Sequence, residues 1–219
     1  MALITLMAPI AAVDIVAGEP LPYAVYLANG VPIALRGQRL SDPDQLEILR
    51  RQGWRGLTAE DDSLADAITP EEAALRMDQQ VLVRFRPQPR PPLPDATALV
   101  ADDVPVTQKL LARMLRDEGV GQVAVVKNGR QAVALFFQQR QHLVFLDIDM
   151  PGLDGINTLE QIKAWSPETF VCMVSGDATL TNITVARSHG VDAFLAKPFS
   201  GLQLTRVLSL YSPAVKTSE

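Results

Sequence analysis

The sequence predicts an α/β protein, in which a doubly wound, five-stranded parallel sheet follows a small α+β domain. Over residues 96–212, short apolar runs alternate with segments of helical periodicity, as expected when helices cover both faces of a parallel sheet. Before them, segment 87–94 holds five prolines in eight residues and cannot continue a helix or a central strand. We therefore expect domains over 1–86 and 96–212, a semi-rigid linker over 87–95 and a tail over 213–219.

Two runs in the first domain, 23–27 and 31–35, flank Asn29-Gly30, a dipeptide that favours a hairpin turn because both residues accept positive φ. Pro32 places the second of these strands at a sheet edge, since proline cannot donate a ladder hydrogen bond. The sequence therefore predicts a hairpin here.

Helical signals follow the hairpin. Asp42 and Pro43 suit the N-cap and first position of a helix that ends at Gln52. A capping box opens a second helix over about 69–79, and 81–85 is predicted as a last strand.

The second domain is predicted to contain five strands, at 98–101, 122–126, 143–146, 170–174 and 193–196. Amphipathic helices are predicted between and after them, at about 106–118, 130–141, 158–165, 180–189 and 201–210. In such sheets, ligands bind beyond the carboxyl ends of the strands. Residues that directly follow the strands are therefore the candidates for function.

Charge and cysteine content exclude several classes of protein. Residues 1–90 carry nine arginines, no lysine and twelve acids, and the remainder carries eleven basic and thirteen acidic residues. Neither part has the basic surface expected of a nucleic-acid-binding protein. The single cysteine, Cys172, excludes an intrachain disulfide. The apolar start is interrupted by Pro9 and Asp14 and has no basic segment, so we expect no signal peptide, no membrane span and a cytoplasmic protein.

Polar residues follow four of the five predicted strands. Asp102-Asp103 follows the first strand, Asp147 the third, Ser175 the fourth and Lys197 the fifth. Three carboxylates at one edge repel each other and need a cation, and hard oxygen ligands suit Mg²⁺. A carboxylate held beside a divalent ion and a lysine can attack phosphorus, because both cations neutralise the transferring phosphoryl oxygens. The pattern predicts phosphoryl transfer to an aspartate.

Four groups of residues carry a resemblance to a known family. They are Asp102-Asp103, the segment Leu-Asp-Ile-Asp-Met-Pro-Gly-Leu-Asp-Gly at 146–155, Ser175-Gly176, and Lys197-Pro198-Phe199. On these motifs, residues 96–212 resemble the receiver domain of two-component response regulators, which has a flavodoxin-like fold. The resemblance covers slightly more than half of the chain.

The resemblance implies a role for each motif residue. Asp147 would be the phosphoacceptor. Asp103, Asp147 and the main-chain carbonyl of Asp149 would hold Mg²⁺, with Asp102 acting through water. The remaining roles fall to Lys197, which would pair with the phosphoryl group, to Ser175, which would hydrogen-bond it and switch, and to Phe194, the aromatic switch residue.

The resemblance also implies partners. A histidine kinase or phosphotransfer protein would supply the phosphoryl group, and the resulting aspartyl phosphate would change protein–protein contacts. We expect the first domain, a downstream protein or self-association to carry the output. As a phosphoprotein in a phosphorelay, the chain would show no turnover beyond self-phosphorylation from small donors and self-dephosphorylation.

Two alternatives stay open from the residues. Asp147-Ile148-Asp149 resembles the Asp-x-Asp of haloacid dehalogenase phosphohydrolases, although that family expects Thr or Val where this chain has Pro151. A cyclic-di-GMP-linked adaptor is the second alternative. Arg51-x-x-x-Arg55 and the Asp-Asp-Ser at 61–63 resemble PilZ motifs, but an aspartate stands in the glycine place and chance is the preferred interpretation.

Overall fold

The computed structural model describes residues 7–10, 15–28, 31–56, 84–176 and 180–211. The chain divides into two compact units, Met1–Arg86 and Pro87–Glu219. The predicted turn at 29–30, the helix at 69–79, most of the strand at 81–85 and the tail lie outside the described residues.

The first unit contains a small antiparallel sheet in the order β1-β4-β2-β3. Its strands are β1 (Met7–Pro9), β2 (Val25–Tyr26), β3 (Pro32–Ala34) and β4 (Trp54–Gly56). The edge position predicted for the strand of Pro32 is confirmed within the described sheet, where β3 is the last strand and pairs with β2.

Helix α1 (Pro43–Gln52) begins and ends where the sequence predicts. The Asp42 carboxylate accepts the Asp44 N–H at 2.8 Å and caps the first turn. The inward face of α1 packs on the core of the first unit through Ile48 and Leu49, which are fully buried.

The second unit contains the predicted five-stranded parallel sheet, in the order β6-β5-β7-β8-β9. Its strands are β5 (Thr97–Ala101), β6 (Gln122–Val126), β7 (Leu143–Asp147), β8 (Phe170–Ser175) and β9 (Ala193–Ala196). Its helices are α2 (Pro105–Asp117), α3 (Gly129–Gln139), α4 (Gly155–Trp165), α5 (Leu180–Ser188) and α6 (Gly201–Leu208). The order reverses between β5 and β7, which places a ligand crevice at their carboxyl ends.

The two central strands explain why their sequences are continuously apolar. Every residue of β7 and β8 is buried, since helices cover both faces. On one face, the rings of Phe137 in α3 and Trp165 in α4 pack with their centroids 5.4 Å apart. The rigid sheet fixes the positions of the residues that follow each strand.

The proline-rich segment packs on the second unit rather than running free of it. The Arg90 guanidinium donates two hydrogen bonds to the Glu168 carbonyl, at 3.1 and 2.9 Å. It also lies over the rings of Phe170 and Tyr211, 5.6 and 5.7 Å from their centroids. The Tyr211 hydroxyl in turn donates to the Pro91 carbonyl at 3.0 Å. The segment is thus held by side-chain contacts that its proline content does not reveal.

Candidate functional site

The predicted acidic residues converge at the carboxyl edge of the parallel sheet. Asp102 and Asp103 directly follow β5, and Asp147 is the last residue of the neighbouring strand β7. One carboxylate oxygen from each of the three lies within 4.8 Å of the other two. Two strand ends therefore bring together a set of oxygens with the spacing that a single cation requires.

Lys197 reaches this cluster from the end of β9. Its Nζ lies 2.7 Å from Asp102 Oδ2 and 2.8 Å from Asp147 Oδ2. Its backbone N–H donates to the Ser175 carbonyl at 2.7 Å, which fixes the residue relative to β8. Burial lowers the pKa of the Lys197 amine, but the hydrogen bonds to the two carboxylates outweigh it and raise the pKa above its ordinary value. The surroundings of the lysine therefore favour its cationic form.

Asp147 lies in a less favourable environment for its charge. Burial raises the pKa of its carboxyl above the ordinary value, the Lys197 hydrogen bond and charge oppose that shift, and the Asp102 charge adds to it. A backbone hydrogen bond at Asp149 also favours the charged form. Three carboxylates lie together here and one amine pairs with two of them, so a divalent cation would balance the remaining negative charge.

The two acids of the pair occupy different surroundings. Asp102 is only 2% exposed, and its Oδ1 accepts the Val104 N–H at 2.8 Å while Oδ2 faces Lys197. Asp103 is exposed. The donor set therefore suits a hard cation such as Mg²⁺, with the carboxylate of Asp103 more open to direct coordination than that of Asp102.

The other predicted site residues lie at the same edge or on the neighbouring strand. Ser175, the last residue of β8, is buried at 3% exposure. Asp149 is exposed. Phe194 is half-buried in β9 and lines a surface groove of about 340 Å³ together with Val207 of α6. The groove gives the aromatic ring space beside the sheet.

Two residues of the site were not predicted from the sequence. Gly155 begins α4 so close to the end of β7 that a Cβ atom would lie 2.0 Å from the Asp147 carbonyl oxygen. Gln108 is buried in α2 and hydrogen-bonds the Asp102 carbonyl. The sequence pattern could have identified Gln108, because this residue begins the inward-facing stripe that continues through Leu111 and Leu115.

The residues of the cyclic-dinucleotide alternative have local partners in the structure. Arg51 forms an ion pair with Glu47 at 2.6 Å, and the Arg55 guanidinium lies 5.6 Å from the centroid of the Tyr23 ring. The Asp-Asp-Ser at 61–63 lies outside the described residues.

Comparison with known proteins assigns the family. Residues 98–209, just over half of the chain, match the response regulator receiver domain family. The chain belongs to this family, and its second unit is a phosphorylation-accepting receiver domain of the two-component type. The predicted receiver fold and family are thereby confirmed.

Individual relatives agree with this assignment. Over 118 residues, the chain is 32% identical to the chemotaxis protein CheY of Listeria monocytogenes, covering 54% of this chain and 97% of that protein. It is 30% identical to the probable C4-dicarboxylate response regulator DctR of Priestia megaterium, covering 56% and 55%. The chemotaxis protein CheY4 of Vibrio cholerae shares the fold, with a TM-score of 0.50 and 22% identity over 53% of this chain and 98% of that structure. Among the described residues, no helix is both long and apolar enough to cross a bilayer.

Proposed function

We propose that Asp147 is the phosphoacceptor of this receiver domain and that Mg²⁺ assists the transfer. The observation that carries the proposal is the convergence of three carboxylates at the switch point of the sheet, two of which pair with one lysine. A family whose members accept phosphoryl groups on such an edge supports the same assignment.

The residues divide the chemistry between them. A carboxylate oxygen of Asp147 attacks phosphorus, and the bond from phosphorus to the donor breaks, leaving the donor with its electron pair. Mg²⁺ would be held by Asp103, Asp147 and the main-chain carbonyl of Asp149, with Asp102 acting through water, and it supplies charge neutralisation to the phosphoryl oxygens. Lys197 and Ser175 would bind those oxygens.

Transfer requires the lysine to change partners. In the structure, Lys197 Nζ is shared between Asp102 and Asp147 at 2.7 and 2.8 Å. With Mg²⁺ held by Asp103 and Asp147, the Lys197 amine would be free to pair with the phosphoryl group on Asp147. The lysine therefore stabilises the acidic edge before phosphorylation and the phosphoryl group after it.

Labelling with a small donor tests the phosphoacceptor. Acetyl phosphate with Mg²⁺ should add one acid-labile phosphoryl group to the peptide that contains Asp147. Asp147→Asn should abolish the label, because an amide is a far poorer nucleophile, whereas Asp117→Asn, at the exposed end of α2, should keep it. Labelling of the same peptide in Asp147→Asn, or a wild-type protein that never labels, would overturn the proposal.

A histidine kinase or phosphotransfer protein is the proposed donor, the cytoplasm the proposed location, and altered protein contact the proposed output. The phosphoryl group stabilises one of two conformations, limited by the difference in its interactions with them. Ser175 and Phe194 would carry the change to the surface of α5, β9 and α6. From there it would reach the first unit, a downstream protein or a second copy.

Hydrogen exchange with and without beryllofluoride, a mimic of the bound phosphoryl group, tests this output. Exchange should change over 180–200, and a further change within the first unit would identify that unit as the output. Saturated binding with no change beyond the acidic edge would refute the switch. A turnover assay with small phosphoesters tests the phosphohydrolase alternative, for which we expect no sustained release of phosphate.

A further inference from the structure

Gln108 has a polar amide at a position of α2 where the spacing of the buried residues predicts an apolar side chain. The inward face of α2 consists of Gln108, Leu111, Ala112 and Leu115, spaced as one helical stripe. Gln108 is 8% exposed, so little of its amide can be solvated. A buried amide destabilises the fold unless it is hydrogen-bonded, and the partners of this one lie next to the acidic pair.

The Gln108 amide joins the ends of two strands. Its Nε2 donates to the carbonyl oxygens of Asp102 and Val126, the latter at 3.1 Å. The Val126 carbonyl also accepts the Asp102 N–H at 3.3 Å. The end of β5, the end of β6 and the first turns of α2 therefore meet at one point, directly before the exposed carboxylate of Asp103.

Like-charge repulsion acts on the turn of Asp102 and Asp103, whose main chain Gln108 contacts. This turn carries two of the three carboxylates that face each other, and their mutual repulsion favours opening. The N-cap residue of α2 is Val104, whose side chain makes no capping hydrogen bond. Asp102 Oδ1 accepts the Val104 N–H at 2.8 Å within the turn, and Lys197 holds the other carboxylate oxygen. Gln108 holds the Asp102 main-chain carbonyl, alongside the bond from the Asp102 N–H to the Val126 carbonyl.

We propose that Gln108 is a positioning residue for the Mg²⁺ site, a proposal that rests on the proposed function above. By holding the Asp102 carbonyl, it keeps Asp102 and Asp103 in place before the cation arrives. The cation then binds without first closing the turn. Residues that orient metal ligands in this way typically change metal affinity by about 10- to 100-fold when replaced.

Gln108→Met tests the proposal, because methionine keeps the length of the side chain and removes the donor. The Mg²⁺ dissociation constant measured by calorimetry should rise about tenfold or more. The rate of labelling by acetyl phosphate should fall at low Mg²⁺ and recover at saturating Mg²⁺. Gln108→Asn, which keeps the amide but is one methylene too short, should show the same loss, so the test survives if one variant does not fold.

A core variant of the same helix separates positioning from stability. Leu115→Val lies on the same stripe two turns away and should destabilise the unit while leaving the Mg²⁺ dissociation constant unchanged. If both Gln108 variants lose stability like Leu115→Val but bind Mg²⁺ as wild type does, Gln108 is a structural residue and the proposal is wrong. A wild-type protein that neither binds Mg²⁺ nor labels would instead overturn the proposed function itself.

Discussion

The two edges of the parallel sheet each carry a cluster of charged side chains, and the two clusters differ in charge balance. At the carboxyl edge, three aspartates lie together, and Lys197 pairs with two of them, Asp102 and Asp147. At the amino edge, Lys163 Nζ lies 2.7 Å from Asp192 Oδ2 and 2.7 Å from the Thr169 carbonyl oxygen. Asp192 also accepts the Val171 N–H at 2.8 Å.

The amino-edge cluster is extended by the proline-rich segment. Arg90 lies 3.5 Å from Asp192 and donates to the Glu168 carbonyl, so cations, carboxylates and main-chain groups satisfy one another. Burial lowers the pKa of the Lys163 amine, and the Asp192 hydrogen bond and charge oppose that shift. At the amino edge, groups of the chain itself balance the charges, so that cluster is structural. At the carboxyl edge, the carboxylates exceed the cations, so that cluster is suited to bind a cation.

The largest expected effect is stabilisation of the carboxyl edge by Mg²⁺. At a Mg²⁺ concentration about one hundred times the dissociation constant, the free energy of unfolding should rise by about 2.7 kcal/mol. Thermal unfolding against matched ionic strength in NaCl measures the gain. Asp103→Asn should remove more of it than Asp102→Asn, since Asp103 carries the more exposed of the two carboxylates. Equal or inverted losses would refute that assignment.

Loss of a carboxylate at the amino edge should lower the stability of the second unit without affecting phosphorylation. Asp192→Asn leaves Lys163, whose side chain is 10% exposed, without its anion, and should lower the free energy of unfolding by about 2 kcal/mol. Hydrogen exchange of the β8 amides measures this for the second unit. Labelling by acetyl phosphate should persist. Asp147→Asn should show the reverse pattern, losing the label without a comparable loss of stability, and matching effects at the two edges would contradict the comparison.

Arg90 tests whether the proline-rich segment belongs to the folded unit. Arg90→Met keeps the aliphatic stem but removes the guanidinium contacts, and should lower the free energy of unfolding of the second unit by about 1 kcal/mol. Arg86→Met, whose native side chain is 80% exposed and pairs with Asp44 in the first unit, is the control and should have no effect there. Equal stability of both variants would show that the segment is only a spacer.

The smallest effect concerns His142, which precedes β7 at the amino edge. Burial and then the charge of Arg140 lower the pKa of the imidazole below its ordinary value of 6.5. Its Nδ1 accepts the Thr97 N–H at 3.1 Å, which requires the neutral ring. The contribution to stability is therefore complete above pH 6.5 and is lost as pH falls from there toward the lowered value.

Unfolding experiments between about pH 7 and 5.5 measure this loss, because the unfolded chain gains a proton there that the folded protein resists. His142→Gln retains an acceptor without a titrating group and should show a shallower slope. If the free energy of unfolding depends on pH with the same slope in the wild type and the variant, His142 does not cause the loss of stability.

The sequence predicted the acidic edge because that edge depends on local rules. Parallel strands end at the same edge of a sheet, so the aspartates at the ends of the neighbouring strands β5 and β7 lie close together, and the lysine after β9 lies on the same edge. The amino edge depends on contacts between distant residues, such as Arg90 with Asp192, which no local pattern reveals. Periodicity alone also could not identify β1 and β4, since each has only three residues.

Polar residues inside apolar patterns were the hardest to interpret. Gln108 stands in an otherwise apolar stripe, and its role depends on carbonyl groups at two strand ends, one of them 18 residues away. The reverse holds for Gly155, whose lack of a side chain matters because α4 begins against the Asp147 carbonyl. The carboxyl edge of the sheet, rather than the helix in which each residue lies, explains why Gln108 and Gly155 stand at these positions.

A crystal structure of the chain with Mg²⁺ and beryllofluoride would show directly whether the carboxyl edge is the phosphoryl site. We expect beryllium bonded to the Asp147 carboxylate, Mg²⁺ held by Asp103 and Asp147, and Lys197 moved from Asp102 to a fluoride. The cluster of Arg90, Lys163 and Asp192 should be unchanged. An adduct on another residue, or a carboxyl edge still closed by Lys197 at saturating concentrations, would contradict the account.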